Sequence, residues 1–297
     1  KGVIDWISIE SPSSDATAVN KMVDHIEAEF KSVGLEVERT PGEDGYGDLI
    51  RGRAQGSSRA NKGILVVSHI DTVHPIGTST SSNPIRIEGD NLYGPGTYDM
   101  KAGAYIAFYA YKQLLAAGGD PDLPVTFMYI PEEEVGSPYS RKHIAEEARR
   151  AKYVLVTEPA RDGGKIVVQR KGSARFKLST TGRAAHSGSK HEYGRSAVLE
   201  MAKQICDIEA LTDYDRGITF NCGLISGGTG VNVVPQSCVM ELDHRYIRKA
   251  DGEEMAKHIL ALKAHNPDVT LEITGGISRP PMELTDGIMD LFNKARA

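Results

Sequence analysis

Apolar residues in the first half of the chain follow two different patterns. Over 15–33 they recur every three or four positions, which predicts an amphipathic helix ended by Gly34. Three continuous apolar runs, typical of buried strands, lie at 63–68, 123–130 and 153–157, with helical patterns at 100–115 and 140–150. This alternation predicts an α/β domain whose sheet is mainly parallel and covered by helices.

The second half follows a different order, after a charged, glycine-containing stretch at 161–165. It predicts in turn a strand, a helix, two strands, a helix and a strand, at 166–181, 195–210, 218–225, 237–246, 252–263 and 269–274. This is the β-α-β-β-α-β order of a ferredoxin-like sandwich. A Gly- and Pro-containing second linker and a helix at 284–295 follow. We therefore expect the first part of a larger domain at 1–164, an inserted module at 165–275 and a return segment at 276–297.

Composition and charge exclude several classes of protein. With 297 residues, 40% hydrophobic and 25% charged, the chain has an ordinary globular composition. The net charge of -5 makes a nucleic-acid partner improbable, and the apolar runs are too short to span a membrane. Cys206, Cys222 and Cys238 are an odd number without metal-type spacing, which favours the reducing cytoplasm.

Imidazole and carboxylate groups follow each of the three predicted strands of the first half. The side chains concerned are His69, Asp71, the acidic run 132–134 and Glu158, together with Asp99 after a Gly-Pro-Gly loop. Ligands bind at the carboxyl ends of strands in open α/β sheets. So many acidic groups at one edge would repel each other unless cations were bound, and imidazole with carboxylates suits zinc or a pair of zinc-like ions.

Each of these features also has an ordinary structural explanation when it is taken alone. Asp99 could cap the helix that follows it, and Glu158 before Pro159 could be a turn residue. Three successive Glu residues usually form a solvated face, and a His-x-Asp at a strand end is often structural. The coincidence of all of them at one edge of a sheet favours the metal site.

The sequence resembles the zinc metallopeptidase family that includes glutamate carboxypeptidases, acetylornithine deacetylase and succinyl-diaminopimelate desuccinylase. The matching motifs are Ser-His-Ile-Asp at 68–71, Gly-Pro-Gly-Thr-Tyr-Asp-Met-Lys at 94–101, Glu-Glu-Glu-Val-Gly-Ser at 132–137, Glu-Pro at 158–159, Gly-Arg-Ala-Ala-His-Ser-Gly at 182–188, Asn-Val-Val-Pro at 232–235 and Asp-His-Arg at 243–245. The resemblance covers essentially the whole chain. It implies a catalytic domain with an inserted ferredoxin-like dimerisation, or lid, domain.

The resemblance also implies a site with two zinc ions, for which cobalt or manganese could substitute. Asp99 would bridge the ions, His69 and Glu158 would complete the ligands of one ion, and Glu134 would bind the other. The Asp99–Met100 peptide bond is expected to be cis. Asp71 would accept the second imidazole N–H of His69 and so fix its tautomer, and Glu133 would be the general base that takes a proton from a metal-activated water.

Three further residues of the inserted domain receive roles from the resemblance. His186 would reach the active site of the partner subunit and stabilise the oxyanion, which makes a homodimer part of catalysis. Asn232 and Arg245 would bind a substrate carboxylate, with a surface cation on a strand as the less favoured explanation of Arg245. The chain departs from the family in lacking a later His for the second zinc, since His258 and His265 lie in no matching motif. We therefore expect either a piece of a longer chain or an incomplete second site.

The function implied is hydrolysis of an amide or peptide bond next to a free carboxylate, most simply by a glutamate-type carboxypeptidase. An N-acyl amino acid deacylase needs the same metals and the same carboxylate clamp, so the motifs do not separate the two. A non-catalytic binding or scaffold protein is the alternative from another class, because the last His ligand is absent. The substrates expected are small peptides or N-acyl amino acids.

Overall fold

The computed structural model describes residues 2–54 and 62–296. The chain divides into two compact units, Lys1–Gly163 and Gly164–Ala297. The division falls inside the charged stretch 161–165. The assignment of 1–164, 165–275 and 276–297 to a catalytic domain, an inserted domain and a return segment stays a prediction.

The first unit is built on a five-stranded sheet of β1 (Glu36–Thr40), β2 (Leu49–Arg53), β3 (Ile64–His69), β6 (Val125–Ile130) and β7 (Tyr153–Val156). The strands lie in the order β1-β2-β6-β3-β7. The three strands expected from apolar runs are β3, β6 and β7, and β3 pairs in parallel with both neighbours. β1 and β2 add antiparallel pairs on one side, so the sheet is mixed. A short hairpin, β4 (Arg86–Glu88) with β5 (Asn91–Tyr93), lies outside it.

The described residues of this unit form four α-helices: α1 (Gly2–Ile7), α2 (Ala16–Ser32), α3 (Ala102–Ala116) and α4 (Arg141–Arg150). The amphipathic helix expected over 15–33 is α2. The Asp15 side chain accepts the N–H of Ala18 at its start, and Gly34 takes a left-handed φ of 75° just after its end. Its apolar face packs into an aromatic core that includes Trp6, Phe30, Phe108, Phe127 and Tyr129. Burial of each such side chain contributes about 1.5–3 kcal/mol before the cost of ordering the chain.

The second unit has the predicted β-α-β-β-α-β order. Its elements are β8 (Gly172–Thr181), α5 (Ala197–Glu209), β9 (Thr219–Gly227), β10 (Ser237–Tyr246), α6 (Lys249–Leu260) and β11 (Thr270–Arg279), followed by α7 (Asp286–Arg296). The antiparallel sheet has the order β11-β8-β10-β9, which is the ferredoxin-like arrangement. The predicted fold class is therefore confirmed, an α/β sheet unit together with a ferredoxin-like unit.

Two boundaries in this unit differ from the pattern. The strand predicted over 166–181 begins only at Gly172, and before it Arg170 pairs with Met282 as an isolated bridge. β11 continues through Gly275 and Gly276, where a linker is expected, because β8 offers it a partner along the whole strand. Gly275 has a φ of 117°, and a Cβ there would lie 2.2 Å from the Arg175 carbonyl oxygen, so glycine is required for this close pairing. In the part of the chain that the structure describes, no helix is both long enough and apolar enough to cross a bilayer.

Candidate metal-binding active site

Three of the four predicted metal ligands converge at the carboxyl edge of the first unit's sheet. His69 is the last residue of β3, Glu158 lies two residues beyond β7, and Asp99 lies in the turn Thr97–Lys101 before α3. His69 Nε2 is 3.0 Å from Asp99 Oδ1 and 3.8 Å from Glu158 Oε1. One ligand atom from each residue lies within 4.8 Å of those of the other two. The geometry brings together atoms from three separate chain segments that one cation could bridge.

His69 is held so that one ring nitrogen faces the acidic group. Its Nδ1 lies 3.0 Å from the Asp71 carbonyl oxygen and 3.3 Å from Asp71 Oδ1. A carbonyl oxygen can only accept, so Nδ1 donates and Nε2 is the nitrogen left for a metal ion. The closer partner is the backbone oxygen of Asp71, whereas the sequence predicts its carboxylate.

The surroundings of His69 favour positive charge. Burial alone would lower its pKa, but the hydrogen bond to Asp71 and the charges of Asp71 and Glu158 outweigh burial and raise the pKa to about 9. A site that stabilises a proton on a buried imidazole also stabilises a metal ion there. One imidazole nitrogen with carboxylate oxygens is a donor set that zinc accepts, so the residues present fit the predicted metal.

The turn that carries Asp99 is held in place by contacts of the two residues that follow it, Met100 and Lys101. The Asp99–Met100 peptide bond is cis, as the resemblance implies, and Met100 Sδ lies 3.2 Å from the backbone N of His69. Lys101 is 1% exposed, and its Nζ donates to the carbonyl oxygen of Ile9 at 2.5 Å. Burial lowers the pKa of Lys101 to about 7, against the charges of Asp71 and Glu10.

Asp71 is fully buried and contacts both His69 and the turn that carries Glu133 and Glu134. Its Oδ1 accepts the backbone N–H of Glu133 at 3.1 Å, and its Oδ2 accepts that of Glu134 at 3.2 Å. Oδ2 also accepts the Ser13 hydroxyl at 2.6 Å. Burial would raise the pKa of Asp71, but the hydrogen bonds from His69 and Ser13 lower it, so the carboxylate stays ionised.

Glu133 and Glu134 lie in a single turn of 3-10 helix, Glu133–Val135, after β6 has ended at Ile130. The strand has therefore stopped alternating its side chains before it reaches them, as the sequence predicts. Burial raises the pKa of Glu134, and the charges of Asp99, Asp71 and Glu133 add to this. Among the described residues, Glu134 does not belong to the group formed by His69, Asp99 and Glu158. Its backbone N–H donates to Asp71, which also contacts His69.

In the second unit, the structure brings His186 and Asn232 together. His186 forms an isolated bridge with Val233, and the N–H of Ser187 donates to the Asn232 carbonyl oxygen at 3.0 Å. His186 is exposed, and its Nδ1 accepts backbone N–H groups of Gly188 and Ser189. The neutral ring therefore carries its proton on Nε2, which is the donor that an oxyanion needs.

Arg245 does not lie with Asn232 in this unit. It is next to the last residue of β10, whereas Asn232 lies in the loop before β10 begins, and the strand between spans roughly 25 Å. Its guanidinium holds Asp243 with two hydrogen bonds, from Nε at 2.6 Å and from Nη2 at 3.2 Å. Arg245 and the loop that carries Asn232 therefore lie at opposite ends of β10.

The two late histidines have other surroundings. His258 lies in the last turn of α6, and His265 Nε2 is 2.7 Å from Asp207 Oδ2. Both belong to the second unit. Among the residues that the structure describes, neither belongs to the group that could hold a metal ion.

Sequence reasoning missed several residues that support the site. Ser13 donates to Asp71, and Ser68 Oγ lies 2.7 Å from Thr157 Oγ1 beside two predicted ligands. Glu132 is fully buried and accepts the N–H groups of Tyr139 and Ser140. A run of three Glu residues is typical of a solvated face, so the sequence contains no signal that Glu132 is buried.

The chain is similar to known peptidases over almost its whole length. The sequence model of the M20 peptidase dimerisation domain matches residues 168–274. Carboxypeptidase G2 of a Pseudomonas species is 32% identical over 297 residues, covering 98% of this chain and 70% of that protein. A probable carboxypeptidase of Arthroderma otae is 30% identical over 315 residues, covering 92% of this chain and 65% of that protein.

A solved structure shares the fold. Aminopeptidase PepT of Bacillus cereus matches with a TM-score of 0.80 at 22% identity, over 99% of this chain and 79% of that chain. The relationship to the Pseudomonas protein confirms the predicted class, a hydrolase of the metallopeptidase type. The chain belongs to the M20 family of peptidases.

Proposed function

We propose that this protein is a zinc-dependent carboxypeptidase that hydrolyses an amide or peptide bond next to a free carboxylate and prefers glutamate as the residue released. The observation that carries the proposal is the convergence of His69, Asp99 and Glu158 within 4.8 Å. Carboxypeptidase activity is supported by the name of the Pseudomonas relative, carboxypeptidase G2. The glutamate preference rests on the resemblance to glutamate carboxypeptidases.

The proposed metal ligands divide between two ions. His69, Asp99 and Glu158 would hold one ion, while Glu134 and the shared Asp99 would hold the second. When bound, zinc supplies a Lewis acid that polarises the amide carbonyl and makes a water molecule more acidic. Asp71 keeps Nε2 of His69 free for this purpose, because Nδ1 is committed as a donor.

Glu133 is proposed to hold and move the proton. Its backbone is fixed on Asp71, so its side chain starts from a defined position beside the ligand turn. The carboxylate takes a proton from the attacking water and passes it to the leaving nitrogen. It is half-buried, which leaves room for a substrate to approach it.

The second unit is proposed to complete the site across a homodimer. His186 and Asn232 belong to one pair of loops, and Arg245 lies at the far end of β10. We therefore place His186 and Asn232 of one protomer and Arg245 of the other around the same substrate. His186 would donate its Nε2 proton to the oxyanion, and Arg245 would exchange Asp243 for the substrate carboxylate.

An N-acyl amino acid deacylase remains the alternative within the same chemistry, since it uses the same residues. We also propose a cytoplasmic location, which is supported by the three cysteines being free thiols. A binding protein without catalysis would retain the metal ligands but would not need Glu133.

The test is an assay of zinc-loaded protein against two panels, N-acyl amino acids and glutamyl amides of the folate type. Fastest turnover of a glutamyl amide, with release of free glutamate, is the result expected. Glu133→Gln should keep its zinc and lose on the order of a hundredfold to ten-thousandfold in kcat, which is the contribution typical of a general base. Bound zinc without hydrolysis of any amide would instead favour the binding protein.

A further inference from the structure

The segment 9–13, between α1 and α2, contacts several loops of the proposed active site, and we call it the strap. At its start, the Ile9 carbonyl oxygen accepts a hydrogen bond from Nζ of the buried Lys101. The Glu10 carboxylate accepts the backbone N–H groups of Gly77 and Ser79, both at 2.7 Å. The strap therefore holds the turn that follows Asp99 and the loop that follows β3.

The rest of the strap runs beside the residues that follow His69. The Ser11 carbonyl oxygen accepts the N–H of Thr72 at 2.9 Å, and the Thr72 carbonyl oxygen accepts the N–H of Ser13 at 3.2 Å. The Ser11 hydroxyl donates to the Ile70 carbonyl oxygen at 2.6 Å. The two backbone hydrogen bonds with Thr72 fix where the last side chain of the strap, Ser13, meets the site.

The Ser13 hydroxyl donates to Asp71 Oδ2 at 2.6 Å, across 58 positions of sequence. Both residues are buried, with Ser13 7% and Asp71 0% exposed. This is the shortest of the contacts to that carboxylate, since the N–H groups of Glu133 and Glu134 lie at 3.1 and 3.2 Å and His69 Nδ1 at 3.3 Å. Capping of α2 does not explain the contact, because Asp15 performs that task.

We propose that Ser13 is a positioning residue of the active site, acting through Asp71, and this rests on the proposed function. By holding Oδ2, its hydroxyl fixes the rotation of the Asp71 carboxylate. That rotation sets two things together, the orientation of the His69 imidazole and the position of the Glu133–Glu134 turn. Ser13 touches neither the proposed metal nor the substrate.

The experiment compares Ser13→Ala with Ser13→Thr, which restores a hydroxyl, and with Ser11→Ala, a matched control. Ser11 is also buried in the strap, but its hydroxyl bonds a backbone oxygen and not Asp71. Zinc affinity is measured by competition with a chromogenic chelator, and kcat and KM are measured on the best glutamyl amide. We expect Ser13→Ala to lower zinc affinity and kcat by about tenfold to a hundredfold with little change in KM, as is typical when a group behind a metal ligand is lost. Ser13→Thr should recover most of both, and Ser11→Ala should retain both.

The outcomes separate the two proposals. If Ser13→Ala weakens zinc binding and Ser11→Ala does not, the positioning role stands even if no amide is hydrolysed by the parent protein. If the parent protein is active and both alanine variants behave alike in zinc affinity and kcat, the positioning role is wrong. If Ser13→Ala does not fold, Ser13→Cys replaces it, because the thiol fills the same space and is a weaker donor. Zinc affinity of Ser13→Cys equal to the parent's would also overturn the proposal.

Discussion

Ser68 Oγ lies 2.7 Å from Thr157 Oγ1, and this hydrogen bond joins β3 and β7 just where each strand delivers a predicted metal ligand. His69 follows Ser68 directly, and Glu158 follows Thr157 directly. The parallel ladder between the two strands ends one position earlier, at the pair Val67 and Val156. The distance between the imidazole and the carboxylate therefore depends on a side-chain hydrogen bond as well as on backbone pairing.

We predict that Ser68→Ala and Thr157→Val each weaken zinc binding about threefold to tenfold, because a hydrogen bond of this kind contributes about 1 kcal/mol. The double variant should lose no more than the single variants, since both remove the same bond. Chelator competition gives the zinc affinities, and urea unfolding of the metal-free protein gives the stabilities. Losses that add in the double variant would show that the two hydroxyls act independently.

Glu132 and Glu133 are neighbours with opposite expected roles. The fully buried carboxylate of Glu132 accepts the N–H groups of Tyr139 and Ser140 and the hydroxyl of Ser140, all at 3.0 Å or less. Glu132→Ala should therefore lower the free energy of unfolding by about 3 kcal/mol, because three buried donors lose their acceptor. Glu133→Ala should change the unfolding free energy by less than about 0.5 kcal/mol and remove turnover. Urea unfolding and the glutamyl amide assay measure the two effects, and equal destabilisation by both variants would contradict the assignment.

Residues at strand ends could be predicted because local pattern and topology agree there. Each continuous apolar run predicts a strand buried on both faces, and parallel strands place their carboxyl ends at one edge. His69 and Glu158 follow such runs directly, so their convergence follows from the order of the elements. β1 and β2 could not be found in this way, because they carry charges such as Arg51, which is buried against Glu147 and accompanied by Glu38.

Ser13 could not be predicted, because nothing near it in sequence shows what it contacts. Its neighbours Ser11, Pro12, Ser14 and Asp15 form an ordinary helix-start pattern, and that pattern does lead into α2. Its partner Asp71 lies 58 positions away. Likewise, the separation of Asn232 from Arg245 depends on the length of β10 and on which end each residue occupies, and motif matching contains neither quantity.

The ion pair between Glu147 and Arg53 predicts a pH-dependent part of stability. Arg53 Nη2 and Nη1 contact the two Glu147 oxygens at 2.7 and 3.0 Å. Burial would raise the pKa of Glu147, but the hydrogen bonds and charge of Arg53 and the charge of Arg51 outweigh it and lower the pKa below 4.5. A carboxyl whose pKa is lower in the folded than in the unfolded chain stabilises the fold above the unfolded value, and this contribution is lost as pH falls through the folded value.

Glu147→Gln should therefore lower the unfolding free energy by about 2 kcal/mol at neutral pH, with the difference shrinking below about pH 4. Glu146→Gln is the matched control, because Glu146 is exposed at the preceding position of α4 and should show little effect at any pH. Urea unfolding of the three proteins over that range gives the comparison. A difference that stays constant with pH would mean that lost packing, rather than lost charge, destabilises Glu147→Gln.

The proposed sharing of residues across a homodimer predicts complementation between two inactive variants. Glu133→Gln lacks the base and keeps His186, whereas His186→Ala lacks the oxyanion donor and keeps Glu133. If His186 acts on its partner's site, a mixed dimer contains one site with both residues intact and one site with neither. Random exchange makes half of the dimers mixed, so the mixture should recover about a quarter of the parent activity.

The recovered activity should appear only after the subunits have exchanged, for example through mild denaturant and refolding together, and zinc content should not change. A mixture of Glu133→Gln with Asp99→Asn is the control, because both substitutions lie in the first unit and no mixed dimer contains an intact site. Activity that stays at the level of the separate variants would place His186 in the site of its own chain. Since Asn232 is paired with the His186 loop, Asn232→Ala should complement Glu133→Gln in the same way, whereas Arg245→Ala, at the other end of β10, should not.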